Sequence, residues 1–477
     1  MCGHHLSRQF YLPIETDPGL VTSPRNRLAR VEHEGQPAEH TAPSTQATPS
    51  PLELLQSRSY LVLLAFGAII GVPVAASAYF FLEGFTRLQH YVFGTLPGDL
   101  GFENQPAWWP IPLLALSGLV VALTIRYLPG TAGHKPAEGF KSSGPVKPIE
   151  LPGIIIASFA TLSLGVVLGP EAPLIAIGSG LGVLAIHLVK RDAPDRASVV
   201  IGAAGSFAAI STLLGSPLPA AFLMMEVAGV GGAMLGVVLA PGLLAAGIGS
   251  LIFIGLDSLT GFGTFSLAVP NIPPAGSPRV AEFLWAIVIG VAAAILGAGI
   301  RRLALLLQPI VERRMVLLTP LVGIAIGVIV LIFVEVTGRS SAEVLFSGQD
   351  QLPGLIEGAA GWTVGALLMI VLCKGLAYSF SLSSFRGGPI FPSMFIGAAG
   401  GIALSHLPGL PMIAGAAMGI GATMVAMLGL PLTSVLIVSV FLEADGLTLM
   451  PLVIVAVVVS YVVSARLRTA PGSTAHS

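Results

Sequence analysis

Long apolar runs separated by short polar interruptions dominate the chain, and the every-other-residue alternation of half-buried strands is missing. Apolar segments lie at 59 to 82, 107 to 127, 151 to 168, 173 to 189, 198 to 213, 217 to 231 and 233 to 256. A second series follows at 280 to 306, 314 to 336, 361 to 383, 391 to 406, 411 to 428, 431 to 442 and 449 to 465. Runs of this kind predict membrane-crossing helices, which need about 20 residues each. Several segments fall short of that length, and glycine or proline interrupts others. Broken helices are tolerated at membrane depth only where their backbone lines a cavity or is buried in protein. Short, interrupted segments at corresponding places of two halves point to a binding site near the membrane midplane.

The pattern therefore predicts an all-α polytopic membrane protein built from two repeats. Residues 1–55 are polar and read as a disordered tail without the pattern of a secretory leader. Residues 56–256 form the first membrane repeat, 257–279 the inter-repeat loop, 280–466 the second repeat and 467–477 a short polar tail, with no regulatory domain expected after it. Arg8, Arg25, Arg27, Arg30 and Arg58 precede the first span, which places the N-terminus in the cytoplasm by the positive-inside rule. The C-terminus, with Arg466 and Arg468, is expected on the same side of the cell membrane.

Composition agrees with this reading. Hydrophobic residues make up 54% of the 477 and charged residues only 10%, against about 25% in a soluble protein. The 58 glycines and 37 prolines imply close helix packing as well as broken helices. A net charge of -1 gives no reason to expect nucleic acid as a partner. Cys2 and Cys373 lie in different settings, so no disulfide framework is implied. His4 and His5 read as part of a mobile tail rather than as metal ligands. No H-E-x-x-H, G-x-S-x-G or paired-carboxylate constellation is present, so no enzyme, metal or cofactor is expected.

An internal repeat locates the site. Gly169-Pro170-Glu171-Ala172-Pro173 and the residues to Gly178 share the pattern G-P-x-x-P-x-x-x-I-G with Gly388-Pro389-Ile390-Phe391-Pro392 and the residues to Gly397, offset by 219 residues. The same offset pairs Gly182 with Gly401 and His187 with His406. Gly215-Ser216-Pro217-Leu218 matches Gly429-Leu430-Pro431-Leu432 at an offset of 214. The prolines favour helix starts, the first of them near Pro173, so each loop should end in a helix N-terminus with free amides and a positive dipole end. Two opposed N-termini without a carboxylate cluster suit a small anion. Glu171 places one carboxylate at membrane depth, where an acidic residue costs at least about 2.5 kcal/mol and marks an ion or proton pathway. It would act as a tethered competitor of the anion. The plainer reading is that Glu171 caps its own helix.

These residues resemble the CLC chloride channel and chloride/proton antiporter family, in a divergent bacterial-type form, over about residues 60 to 465. The resemblance implies inverted repeats, a homodimer with one anion pathway per subunit, and chloride or another small anion as substrate. Gly169-Pro170-Glu171-Ala172-Pro173 is similar to the family's G-(K/R)-E-G-P, whose glutamate is the gate. Arg386-Gly387-Gly388-Pro389-Ile390-Phe391-Pro392 is similar to its G-G-x-F-x-P anion-binding segment. Gly133 to Gly139 sits where the family has G-S-G-I-P-E. This implies Glu171 as gate and the backbone of Gly388, Ile390, Phe391, Gly169 and Ala172 around the anion. The chain departs from the family at Pro170 and Ala172 beside the gate. It lacks a hydroxyl at Ala132, with neighbouring Thr131 as the expected substitute, and Pro389 has no N–H. No counterpart of the family's late tyrosine is evident; Tyr461 is the residue considered for it.

Exchangers of the family usually carry an acid where this chain has Val227, directly after Glu226. That favours passive conduction over proton-coupled exchange, which stays open as the alternative, as does a non-conducting scaffold. Glu226 reads as a group that satisfies backbone or pairs with a basic loop. Lys374 lies inside an apolar run and either raises the anion-attracting potential or pairs within the protein. Arg386 either recruits anions or is structural. Glu443 and Asp445 read as a solvated helix end, and Arg301-Arg302 and Arg313-Arg314 as cytoplasmic anchors.

Overall fold

The computed structural model describes residues 56–140, 144–229, 233–261, 276–442 and 446–468. The N-terminal tail with Arg8, Arg25, Arg27, Arg30, His4, His5 and Cys2 lies outside the described residues, as do most of the inter-repeat loop, Glu443, Asp445 and residues 469–477. Among the described residues, seven helices of ten residues or more fall in the first half: α1 Arg58–His90, α2 Pro110–Tyr127, α3 Leu151–Ser163, α4 Glu171–Val189, α5 Asp195–Leu214, α6 Pro217–Ala228 and α7 Ala233–Thr260. Seven more fall in the second: α8 Val280–Arg313, α9 Met315–Thr337, α10 Val364–Ser384, α11 Ile390–Leu404, α12 Met412–Leu428, α13 Pro431–Phe441 and α14 Gly446–Leu467. They follow the apolar segments one for one, and nine are long and apolar enough to cross a membrane. Helices α1 and α8 run on past their apolar segments. In α1 the extension carries the Arg87–Glu83 ion pair, one turn apart on the helix. In α8 it carries a polar face that pairs with the segment around residue 138.

Packing in the two halves corresponds element by element. Helix α4 packs on α5 as α11 packs on α12, α5 on α7 as α12 on α14, and α1 on α7 as α8 on α14. Helix α2 instead packs on its own counterpart α9, and α6 on its counterpart α13. Contacts between counterparts are what a twofold axis produces, because on such an axis residue i meets j and j meets i. The α2–α9 crossing shows this reciprocity. A Cβ on Gly118 would stand 2.6 Å from Thr319 O, while a Cβ on Gly323 would collide with Leu114 O. The architecture is thus two inverted repeats of partly broken helices.

Glycine sets the closeness of the α4–α5 and α11–α12 pairs. A Cβ on Gly178 would collide with Gly205 O, and one on Gly397 with Gly419 O. One turn on, a Cβ on Gly182 would stand 2.5 Å from Ile201 O, and one on Gly401 would collide with Gly415 O. These are the small-x-x-x-small contacts that let helix backbones approach where lipid provides no hydrophobic drive. They bury α12 almost completely, from Ile413 to Leu428. Gly401→Leu should wedge α11 from α12, costing several kcal/mol because backbone rather than a movable side chain occupies the space. Thermal unfolding in detergent should show a large fall in Tm for Gly401→Leu and a negligible one for Gly400→Leu, where a Cβ meets nothing within 4 Å.

Candidate functional site

The loops before α4 and α11 meet head to head. Gly169 N–H donates to Gly388 O at 2.8 Å and Gly388 N–H donates back to Gly169 O at 2.6 Å, an isolated antiparallel bridge. These residues are counterparts at the repeat offset, so the twofold passes between them. Pro170 caps α4 and Pro389 caps α11, both in helical conformation. Helix α4 begins at Glu171, two residues before the expected start at Pro173, because proline is tolerated throughout the first helical turn.

Glu171 breaks the symmetry, since its counterpart is Ile390. Its carboxylate does not serve its own helix alone: Oε1 accepts the Phe391 N–H of α11 at 3.0 Å. The Ile390 amide also faces the carboxylate. Glu171 is fully buried, and Oε2 has no hydrogen-bond partner. A Cβ on Gly388 would collide with Oε2, and one on Gly169 would do the same. Neither glycine has a left-handed φ, so the requirement is steric. The two glycines thus leave a carboxylate-sized cradle between two helix N-termini. The expectation that Gly169 and Gly388 offer amides to an anion is corrected: their N–H groups are spent on each other, and their contribution is the missing side chain. The amides turned to the carboxylate are those of Phe391, Ile390 and Glu171 itself.

One step away lies a cavity of about 620 Å³. Thr131, His134, Lys135, Glu138 and Glu150 line its polar part, and Ala172, Ile175, Met224 and Val227 its apolar part. Thr131 faces it, whereas Ala132 is 2% exposed and belongs to the core. Both have left-handed φ, 51° and 58°, a strained conformation for a β-branched threonine. Arg386 holds this strained loop. It is almost completely buried, and its Nε donates to Thr131 O at 3.2 Å and its Nη1 to Phe385 O at 3.1 Å. It reaches the cavity wall through a backbone carbonyl rather than through an open vestibule.

Lys374 does not line the cavity. Its Nζ donates to the carbonyls of Glu343 at 3.0 Å, Val344 at 3.1 Å, Leu345 at 3.0 Å and Phe346 at 3.4 Å, and lies 4.5 Å from the Phe395 ring. It pins the loop after α9, whose Phe346 N–H donates to Gly165 O on the way to the Glu171 loop. Burial pushes the carboxyl of Glu343, in that loop, upward against the opposing pull of Lys374 and Arg339. Tyr461 is corrected as a pathway residue. It is 42% exposed because Val453, Ala456, Val457 and Ser460 form the buried face of α14. Glu226 caps α13, accepting Leu432 N–H at 2.9 Å, Thr433 N–H at 2.7 Å and the Thr433 hydroxyl at 2.5 Å.

Sequence reasoning missed Tyr378. It is fully buried, donates its hydroxyl to Pro389 O at 3.0 Å and lies within electrostatic range of Glu171. The available signal was its position one turn after Lys374 on an apolar helix.

Glu226→Ala leaves three donors at α13 unpaired and should cost about 1–3 kcal/mol. Lys374→Met strips four buried carbonyls of their donor and should cost more. Equal Tm values for Lys374→Met and the unmodified protein would contradict the clamp.

Residues 114–465 match the model of the voltage gated chloride channel family, well over half of the chain. The chain is 29% identical over 361 residues to YfeO of Escherichia coli O139:H28 (strain E24377A / ETEC), a protein named for ion transport, covering 75% of this chain and 82% of that one. Its fold is similar to the crystal structure of a slow cyanobacterial Cl⁻/H⁺ antiporter, with TM-score 0.68, 18% identity and coverage of 86% of this chain and 95% of the other. It is also similar to a CLC-type fluoride/proton antiporter, with TM-score 0.60, 20% identity and coverage of 85% and 96%. The chain belongs to the voltage gated chloride channel (CLC) family, whose members move anions across membranes.

Proposed function

We propose that the protein is a passive CLC-type anion channel in the cell membrane, with Glu171 as its gate. The observation that supports this most is the Glu171 carboxylate seated on the Phe391 amide in a cradle that Gly169 and Gly388 keep open. A small anion accepts the same donors. Carboxylate and anion therefore compete for one place, and the pathway is closed while Glu171 holds it. Protonation removes the negative charge that binds Glu171 there, so acidification should favour the open state. Chloride is the anion that the family suggests.

Passive conduction rather than exchange rests on Val227, which puts an apolar side chain on the cavity wall, and on Glu226, whose carboxylate is committed to capping α13. A second reading, proton-coupled exchange, is supported by the unpartnered Glu171 Oε2, which a proton would satisfy. Both crystal structures named above are described as proton antiporters. On that reading an inner proton acceptor is needed elsewhere than at position 227, and Glu138 and Glu150 on the cavity are the carboxylates available. We take the working unit to be a homodimer of chains, each with repeats at 56–256 and 280–466, and with both termini in the cytoplasm.

Anion efflux from liposomes, with pH followed in the same sample and voltage clamped by valinomycin and potassium, tests this. Glu171→Gln should raise efflux and remove its pH dependence, while Glu226→Gln should leave the pH dependence in place. Chloride leaving without stoichiometric proton movement is expected for the unmodified protein; protons driven uphill by the chloride gradient would establish the exchanger. Gly388→Ala should mimic Glu171→Gln, because the added methyl evicts Oε2 from the cradle. If efflux and its pH response are the same in all of these variants and the unmodified protein, Glu171 is not the gate.

A further inference from the structure

A second cleft, separated from the cavity by the Lys135–Glu312 ion pair, lies where the end of α2 meets the turn between α8 and α9, with a volume of about 530 Å³. Arg126, Arg313 and Arg314 line it, and all three are exposed. Among the described residues no carboxylate lies within 4.0 Å of any of them. Glu312 is the one acid in the lining, and it is already engaged by Lys135 at 2.7 Å and by Gln308 at 2.9 Å. Three arginines around one opening are therefore without a carboxylate partner among the described residues, and their planar donor forks suit phosphate oxygens.

The rest of the lining is apolar. Ile125 ends one membrane helix, and Met315, Val316 and Leu317 begin another, with Leu317 58% exposed. Beside them Tyr127 is 72% exposed and Arg126 lies 5.7 Å from its ring centre. An aromatic ring of this kind belongs at the height of lipid headgroups. A ligand that fills the cleft must offer phosphate to the arginines and hydrocarbon to the wall that runs on into the membrane.

We propose that this cleft binds the phosphate of an anionic phospholipid headgroup, its acyl chains lying along the start of α9. Basic pockets between membrane helices hold such headgroups through the same combination of charge and adjoining apolar surface. The site is independent of whether the pathway conducts or exchanges.

The test is native mass spectrometry of the purified protein released from nanodiscs of phosphatidylglycerol or of phosphatidylcholine. Phosphatidylglycerol adducts should be retained about tenfold better than phosphatidylcholine adducts. The preference should vanish in Arg126→Gln/Arg313→Gln/Arg314→Gln and persist in the corresponding triple lysine variant, which keeps the charge. Equal retention of the two lipids by the unmodified protein would overturn the proposal without any variant, so a triple variant that fails to fold does not protect it. Retention of the preference by a folded triple glutamine variant would also overturn it. Full displacement of phosphatidylglycerol by millimolar inorganic phosphate would assign the cleft to free phosphate instead.

Discussion

Two helix N-termini are held facing each other by a pair of reciprocal hydrogen bonds between Gly169 and Gly388, and the rest of the molecule depends on keeping them there. Each loop alone would leave its first-turn amides unsatisfied in a medium without water, at a cost of several kcal/mol per group. Bridging the loops satisfies the glycine amides and leaves those of Ile390 and Phe391 directed at one small space. A carboxylate placed between them closes the arrangement without a metal or a full positive charge in bonding contact. On the proposed reading Glu171 is both the group that completes the closed structure and the group whose departure opens the pathway.

The surrounding helices act as the frame. Close glycine contacts fix α4 against α5 and α11 against α12, so each N-terminus is held by backbone packing within its own half. Lys374 and Arg386 serve the same end with charge. Each is buried and spends its donors on backbone carbonyls, the first on the loop that touches Gly165 and the second on the strained loop at Thr131. Buried cations in a membrane protein invite a functional reading, yet these two are positioned by the loops they hold.

The repeat made the architecture legible from sequence, since two G-P-x-x-P loops at one offset required two matching halves. Glu171 was legible for the same reason: it is the one charged residue in a pair of matching motifs. What the spacing could not show was which amides remain free once the loops meet. Gly169 and Gly388 look like donors in a motif, but the bridge consumes their N–H groups. Tyr461 and Tyr378 were indistinguishable as aromatic residues on apolar helices; only the rotation of α14 and α10 sends one outward and the other to Pro389. Lys374 was ambiguous because its partners are carbonyls of a loop about thirty residues earlier, and carbonyls leave no trace in a sequence.

In the proposed pathway Glu171 occupies the place of a transported anion at the Phe391 amide. Anomalous diffraction from crystals of Glu171→Gln soaked in bromide tests it most directly. A bromide peak within hydrogen-bonding distance of the Phe391 and Ile390 amides, in the cradle between Gly169 and Gly388, is the expected result. A vacant cradle in a folded Glu171→Gln crystal, with bromide bound elsewhere or nowhere, would contradict the claim.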